Sequence, residues 1–310
     1  MRRLTMAYPI ERKLVIAVSS SALFDLTESH AVFVDQGPIA YKKFQTDNID
    51  KILKKGVAFP FIKRFLNINN HFKDQQPVEV VLLSRNSATT GKRVFRSIQH
   101  YGLDISRAAF MEGKSPYKYI PAFNAALFLS ANEEDVQRAI DSNYPAGVVL
   151  PNQVVNDDDT SEELCIAFDF DGVIVDDEAE TIFKAKSLDG FQDHEAKKSD
   201  IPLKPGPLAE LFKRLSYMQN LEDREVAKDR NYKRIIRTAI VTARNAPSHE
   251  RVITTLEHWG VSANETFFLG GMEKQRILSI LKPHIFFDDH KTHLDSVAGD
   301  IPMVHIPFGI

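Results

Sequence analysis

A short apolar run that closes on two small or acidic residues, with one residue between them, occurs twice in this chain. Leu14-Val-Ile-Ala-Val-Ser19-Ser-Ser21 lies 150 positions before Leu164-Cys-Ile-Ala-Phe-Asp169-Phe-Asp171. The correspondence continues in order. The tract from Leu83-Ser-Arg-Asn86 to His100-Tyr-Gly102 lies over Thr242-Ala-Arg-Asn245 to His258-Trp-Gly260, with one residue of slippage. Leu127-Phe-Leu-Ser130-Ala131 lies over Ile285-Phe-Phe-Asp288-Asp289, 158 positions on. Chance matching of apolar strands does not produce the paired Arg-Asn and His-aromatic-Gly signatures. The chain therefore reads as two copies of one unit, which suits 310 residues at about 150 per domain.

The unit is α/β. Apolar runs at 78–83, 165–168, 235–241, 267–269 and 285–287 alternate with segments of helical period, and runs apolar at every position belong to parallel strands covered on both faces. Val252, Leu256 and Trp259 recur at helical spacing before Gly260, which marks a crossover helix. The expected organisation is a first lobe over 1–155, a polar acidic linker over 156–163, and a second lobe over 164–310 with an insertion at 176–234. That insertion carries helix candidates at 178–188 and 208–217.

Charge and cysteine content exclude several classes. A formal net charge of −3 and a pI near 6.4 give no pull toward nucleic acid or an anionic membrane. Met1-Arg2-Arg3 and the apolar 14–18 run imitate a secretion signal, but the run is too short and ends in three serines. No stretch of about 18 apolar residues is present to span a bilayer. The single cysteine, Cys165, forms no internal disulfide, which fits a reducing cytoplasm. Lys51, Lys54, Lys55, Lys63 and Arg64 read as a solvated helix face. A homo-oligomer is compatible with the sequence, which does not fix oligomeric state.

The chemistry falls in the second copy. Asp169 and Asp171 emerge at the carboxyl end of a buried strand, where open α/β sheets bind ligands, and Gly172 lets the chain turn away. Two carboxylates so close call for a divalent cation or for unequal pKa values. Thr242 ends another strand and offers a hydroxyl to a phosphoryl oxygen; Lys274, after Gly270-Gly271, offers positive charge; Asp288-Asp289 closes a third strand with further acidic oxygens. In the first copy Ser19, Ser21, Ser130 and Ala131 stand in place of Asp169, Asp171, Asp288 and Asp289, so magnesium-type chemistry survives only in the second. His284, His290, His293 and His305 raise a zinc alternative, which the oxygen-rich aspartate set disfavours.

The ordered set resembles the haloacid dehalogenase superfamily, and more closely the cytosolic 5'-nucleotidase type I family. The segments that carry this closer likeness are Ala17-Val-Ser-Ser-Ser-Ala-Leu-Phe-Asp25, Ala58-Phe-Pro-Phe61, Leu127-Phe-Leu-Ser-Ala131, Val241-Thr-Ala-Arg244 and His284-Ile-Phe-Phe-Asp-Asp289. They span the chain from about Lys13 to its end. The resemblance implies a Rossmann-like parallel sheet of haloacid dehalogenase type, a degenerate first lobe, a small cap, and magnesium-dependent hydrolysis of nucleoside 5'-monophosphates, AMP foremost. It implies Asp169 as nucleophile, Asp171 as acid and base, and Thr242 and Lys274 on the phosphate. Metal ligands would come from Asp169, the Asp171 backbone and Asp288 or Asp289. Phe170, Phe59 and Phe61 are candidates to stack a base. The alternatives are a phosphatase of another small phosphomonoester and a nucleotide-sensing regulatory protein.

Overall fold

Apolar runs from both halves hydrogen-bond into one ten-stranded sheet. The computed structural model describes residues 8–151, 160–295 and 301–309. Strands β1 (Leu14–Val18), β2 (Phe24–Asp25), β3 (Lys54–Lys55), β4 (Val78–Ser84), β5 (Arg107–Phe110), β6 (Ala125–Ser130) and β7 (Ala146–Val149) belong to the first half. The second contributes β8 (Leu164–Phe168), β9 (Ile236–Thr242), β10 (Glu265–Phe268), β11 (Ile285–Asp288) and β12 (Met303–His305). The sheet runs β10-β9-β8-β11-β12-β7-β6-β1-β4-β5, while β2 and β3 form a separate two-stranded antiparallel sheet. Every neighbouring pair in the large sheet is parallel except β12 with β7, which is antiparallel and forms the seam. From either outer edge to the seam the strand order is the same.

The helices repeat with the strands. In the first half α1 (Ser20–Leu23), α2 (Thr27–Asp47) and α3 (Phe59–His71) follow β1, α4 (Gly91–His100) follows β4, and α5 (Glu133–Asp141) follows β6. In the second, α6 (Glu178–Lys197) and α7 (Ala209–Lys228) follow β8, α8 (His249–Trp259) follows β9, α9 (Gln275–Leu281) precedes β11 and α10 (Lys291–Asp295) follows it. Single hydrogen bonds recur too. The Ser19 N–H donates to the Leu129 carbonyl as Asp169 donates to Phe287. Arg93 Nε donates to the Lys51 carbonyl at 2.8 Å, and Arg251 Nε to the Ile201 carbonyl at 2.9 Å.

These bonds correct the alignment in one place. Ser84 Oγ accepts from the Asn86 N–H at 3.1 Å, and Thr242 Oγ1 accepts from the Arg244 N–H at 3.2 Å. Asn86, not Arg85, therefore lies over Arg244. The likeness of Arg85-Asn86 to Arg244-Asn245 is displaced by one residue, because strand pairing sets the register and side-chain identity does not.

Alternation along the central strands divides the core. Leu14, Ile16 and Val18 share one large cluster with Leu164, Ile166 and Phe168, whereas Val15 and Ala17 face one smaller cluster and Cys165 and Ala167 another. Leu211, Phe212 and Leu215 place α7, from the 176–234 stretch, in the shared cluster alongside α3. The two halves also cap each other's strands. Arg64 of α3 donates to the carbonyls of Ser161 and Glu163, the latter at 2.9 Å, and Arg214 of α7 donates to the Lys13 carbonyl at 2.8 Å. Positions 64 and 214, like 13 and 163, differ by 150, so the contact is self-complementary, as in a two-fold interface.

Arg64 is thus buried at 4% exposure and does not lie on a solvated face, and Lys54-Lys55 form a strand. Arg64 departs from the sequence reading because the long aliphatic stem of an arginine can follow apolar surface while its guanidinium satisfies buried carbonyls, and the two lysines because their backbone pairs with Phe24-Asp25. Of the expected 156–163 linker, residues 156–159 lie outside the described residues. Among the described residues no helix is long and apolar enough to cross a membrane.

The seam admits no side chain at Gly147, where a Cβ would lie 2.3 Å from Val304 Cγ1 and 2.8 Å from Ile306 Cδ1. Gly147→Val is expected to destabilise the fold by about 1–3 kcal/mol through overpacking, read from the urea midpoint. An unchanged midpoint would show that the seam is loosely packed.

Candidate active site

Three parallel strands, β9, β8 and β11, lie side by side and deliver their carboxyl ends to one place. Asp169 follows β8, Thr242 closes β9, Asp288 closes β11, and Lys274 stands immediately before α9. Lys274 Nζ is 2.8 Å from Asp169 Oδ2 and 2.7 Å from Asp288 Oδ2. Asp169 Oδ1 accepts from the Phe170 N–H at 2.7 Å, and Asp288 Oδ1 accepts from the His290 N–H at 2.8 Å. Asp289 completes the group, with donor oxygens of Asp169, Asp288 and Asp289 all within 4.8 Å of one another. Gly172, at φ +68°, makes room for it: a Cβ there would lie 2.2 Å from Asp289 Oδ2.

One ammonium does not balance three carboxylates. Burial pushes the Asp169 carboxyl up to about 8, with Lys274 opposing and the charges of Asp288 and Asp289 adding. Asp288 is buried too, yet Lys274 and His293 outweigh that burial and hold it below the usual carboxylate range. Asp169 and Asp288 shift in opposite directions although they share Lys274, because only Asp288 has the second donor in His293, 3.3 Å from both of its oxygens. The deficit of positive charge and the all-oxygen donor set fit a hard divalent cation.

The histidines are not merely packed around this group. His290 and His293 stack at 5.1 Å and form a second set of close donor atoms with Asp288. His290 pairs with Asp289 Oδ1 at 2.9 Å, a bond that pushes its ring up to about 9. His305 Nε2 donates to the Asp289 carbonyl at 2.9 Å, whereas His284 Nδ1 lies behind the strands, accepting from the Cys165 N–H.

A model of the 5'-nucleotidase family matches residues 6–310. The chain belongs to the 5'-nucleotidase family. Human cytosolic 5'-nucleotidase 1B is 35% identical to this family member over 288 residues, which are 91% of the present chain and 47% of the relative. The chain thus spans about half the length of that curated relative. No solved structure matches.

In this 5'-nucleotidase family member, the expected residues Asp169, Lys274, Asp288 and Asp289 meet, and Thr242 ends the adjoining strand β9. Asp171 faces a different partner: Arg244 donates from Nε to Oδ2 and from Nη2 to Oδ1, both at 2.8 Å. Arg244 in turn reaches Glu195 of α6, and Arg251 of α8 binds the other oxygen of Glu195 at 2.7 Å. Sequence reasoning quoted Arg244 in a motif without a role and missed Glu195 and Arg251, which are distant in sequence and carry no spacing signal. Phe170, Phe59 and Phe61 are buried at 0%, 2% and 0% exposure, so none of them presents a face to a nucleobase. Phe170 instead lies under the Arg244 guanidinium, 5.7 Å from its ring centre.

Removing the shared ammonium leaves the buried Asp288 carboxylate without its closest counterion. In chelator, Lys274→Ala is expected to cost about 3–5 kcal/mol of stability, measured by urea unfolding. A much smaller loss would show that Asp169 and Asp288 do not depend on Lys274.

Proposed function

We propose that the chain hydrolyses nucleoside 5'-monophosphates, with AMP favoured, to nucleoside and phosphate in a magnesium-dependent reaction through an aspartyl-phosphate. The observation that carries this reading is the buried Asp169–Lys274–Asp288 bridge at adjoining strand ends, with Asp289 beside it, in a chain of the 5'-nucleotidase family. The second half, 164–310, is the catalytic unit of haloacid dehalogenase type with a cap within 176–234. The first, 1–155, is its degenerate counterpart.

An Asp169 carboxylate oxygen attacks phosphorus and the bond from phosphorus to the 5' oxygen breaks, which divides a difficult displacement into two easier ones. Asp171, partly open to solvent at 23% side-chain exposure, gives a proton to the departing 5' oxygen. It then takes one from the water that attacks the aspartyl-phosphate, so that phosphate leaves and Asp169 is restored. Thr242 Oγ and Lys274 Nζ bind phosphoryl oxygens. Magnesium, held by Asp169, the Asp171 backbone carbonyl and Asp288 with Asp289 nearby, would neutralise charge on the transferring phosphoryl group.

Released phosphate, measured across nucleoside monophosphates and sugar phosphates, checks the reading. AMP turnover is expected with magnesium, none in excess chelator, and a loss of at least about a thousandfold in Asp169→Asn. Preferred turnover of a sugar phosphate would transfer the reading to another phosphomonoester. Full activity in chelator, or in folded Asp169→Asn, would remove the mechanism.

A further inference from the structure

Arg244 and Glu195 are charged and buried at 4% and 0% exposure, an arrangement that costs several kcal/mol unless the charges are well matched. They are matched in series. Asp171 pairs with Arg244, Arg244 with Glu195, Glu195 with Arg251, and Arg251 with Glu178 at the start of α6. The Arg244 guanidinium also sits between the rings of Phe170 and Phe191, 5.7 and 5.6 Å from their centres. Helix α6, in the stretch expected to form the cap, is thereby joined through two arginines to the second carboxylate of the motif.

The first half shows which part of this chain is scaffold. Gln45 lies over Glu195 and Arg93 over Arg251, and Arg93 Nη1 donates to Gln45 Oε1 at 3.1 Å as Arg251 Nη1 donates to Glu195 Oε1. That contact persists where no catalytic carboxylate exists, so it holds the helices together in both halves. Arg244 behaves differently: its place is taken by Asn86, and the place of Asp171 by Ser21. The guanidinium is present only where there is a carboxylate for it to hold.

Resting on the function proposed above, we infer that Arg244 is a positioning residue for Asp171, and that Glu195 of α6 positions Arg244. A carboxylate has about four lone-pair sites. The bidentate arginine takes one on each oxygen and fixes the plane of the group, leaving the others for the proton that Asp171 gives and recovers. The seating of α6 and the alignment of the acid-base group become one event.

The test compares AMP with 4-nitrophenyl phosphate, whose leaving group departs without a proton. Arg244→Gln is expected to lower kcat for AMP roughly a hundredfold, with KM changed by less than about threefold. The loss on the aryl ester should be much smaller, in the ratio that Asp171→Asn shows. Arg244→Lys, which keeps the charge but not the fork, recovers part of the loss. Folding is controlled by Arg244→Asn combined with Glu195→Gln and Phe191→Tyr, which installs the Asn86–Tyr41–Gln45 bridge that the first half already folds around. It should melt like wild type and lose AMP turnover. Equal losses on both esters, a loss confined to KM, or wild-type kcat in Arg244→Gln would overturn the inference alone. Wild-type protein inert toward both esters would overturn the functional reading and the inference with it.

Discussion

Two buried carboxylates, Asp169 and Asp288, and the half-buried Asp289 repel one another at neighbouring strand ends, and the second half of the molecule is arranged around that fact. Lys274 bridges two of them, His290 and His293 attend to Asp288 and Asp289, and Gly172 gives up its side chain so that Asp289 can enter. Each of these features costs something in a half that only has to fold. Together they make a pocket of negative charge in search of a cation, which is the electrostatic condition for moving a phosphoryl group.

The first half is the control that nature rarely supplies within one chain. It has the same strand order and many of the same hydrogen bonds, but 3-10 turns at Tyr117–Tyr119 and Pro121–Phe123 replace α9, Ser19, Ser130 and Ala131 stand where the carboxylates would be, and Pro116 where the register would place Lys274. It keeps Arg93 on Gln45 and Ser97 on Leu53, so those contacts belong to the fold. What it lacks belongs to the site. The reciprocal arginine contacts from α3 and α7 show a second reason for its retention: each half satisfies backbone carbonyls that the other leaves open at the start of its central strand.

Much of this was legible in the sequence because it is local. The apolar runs gave the central strands to within a residue or two, since a strand buried on both faces has no polar position to hide it. The repeat showed two like units but not that they join edge to edge in one sheet; Asp169 and Asp288 were readable because each follows an apolar run, and Lys274 because a helical segment starts there after two glycines. Other features were not legible. The slip at Asn86 and Arg244 arose because residue likeness competed with a register set by hydrogen bonds across the sheet. Arg64 looked solvated because a sequence shows the charge and not the carbonyls it reaches. Glu195 and Arg251 are joined only by the packing of α6 on α8, and Phe59, Phe61 and Phe170 proved to be core, as abundant phenylalanines usually are.

Two copies of one fold differ in charge at equivalent strand ends, and on the reading proposed above that difference decides where a cation binds. Crystals of the protein soaked in manganese, a hard divalent ion with a strong anomalous signal, test it directly. An anomalous peak is expected beside Asp169 and Asp288 and none between Ser19 and Ser130. A peak at the serines, or a peak in the second half that does not touch Asp169 or Asp288, would contradict it.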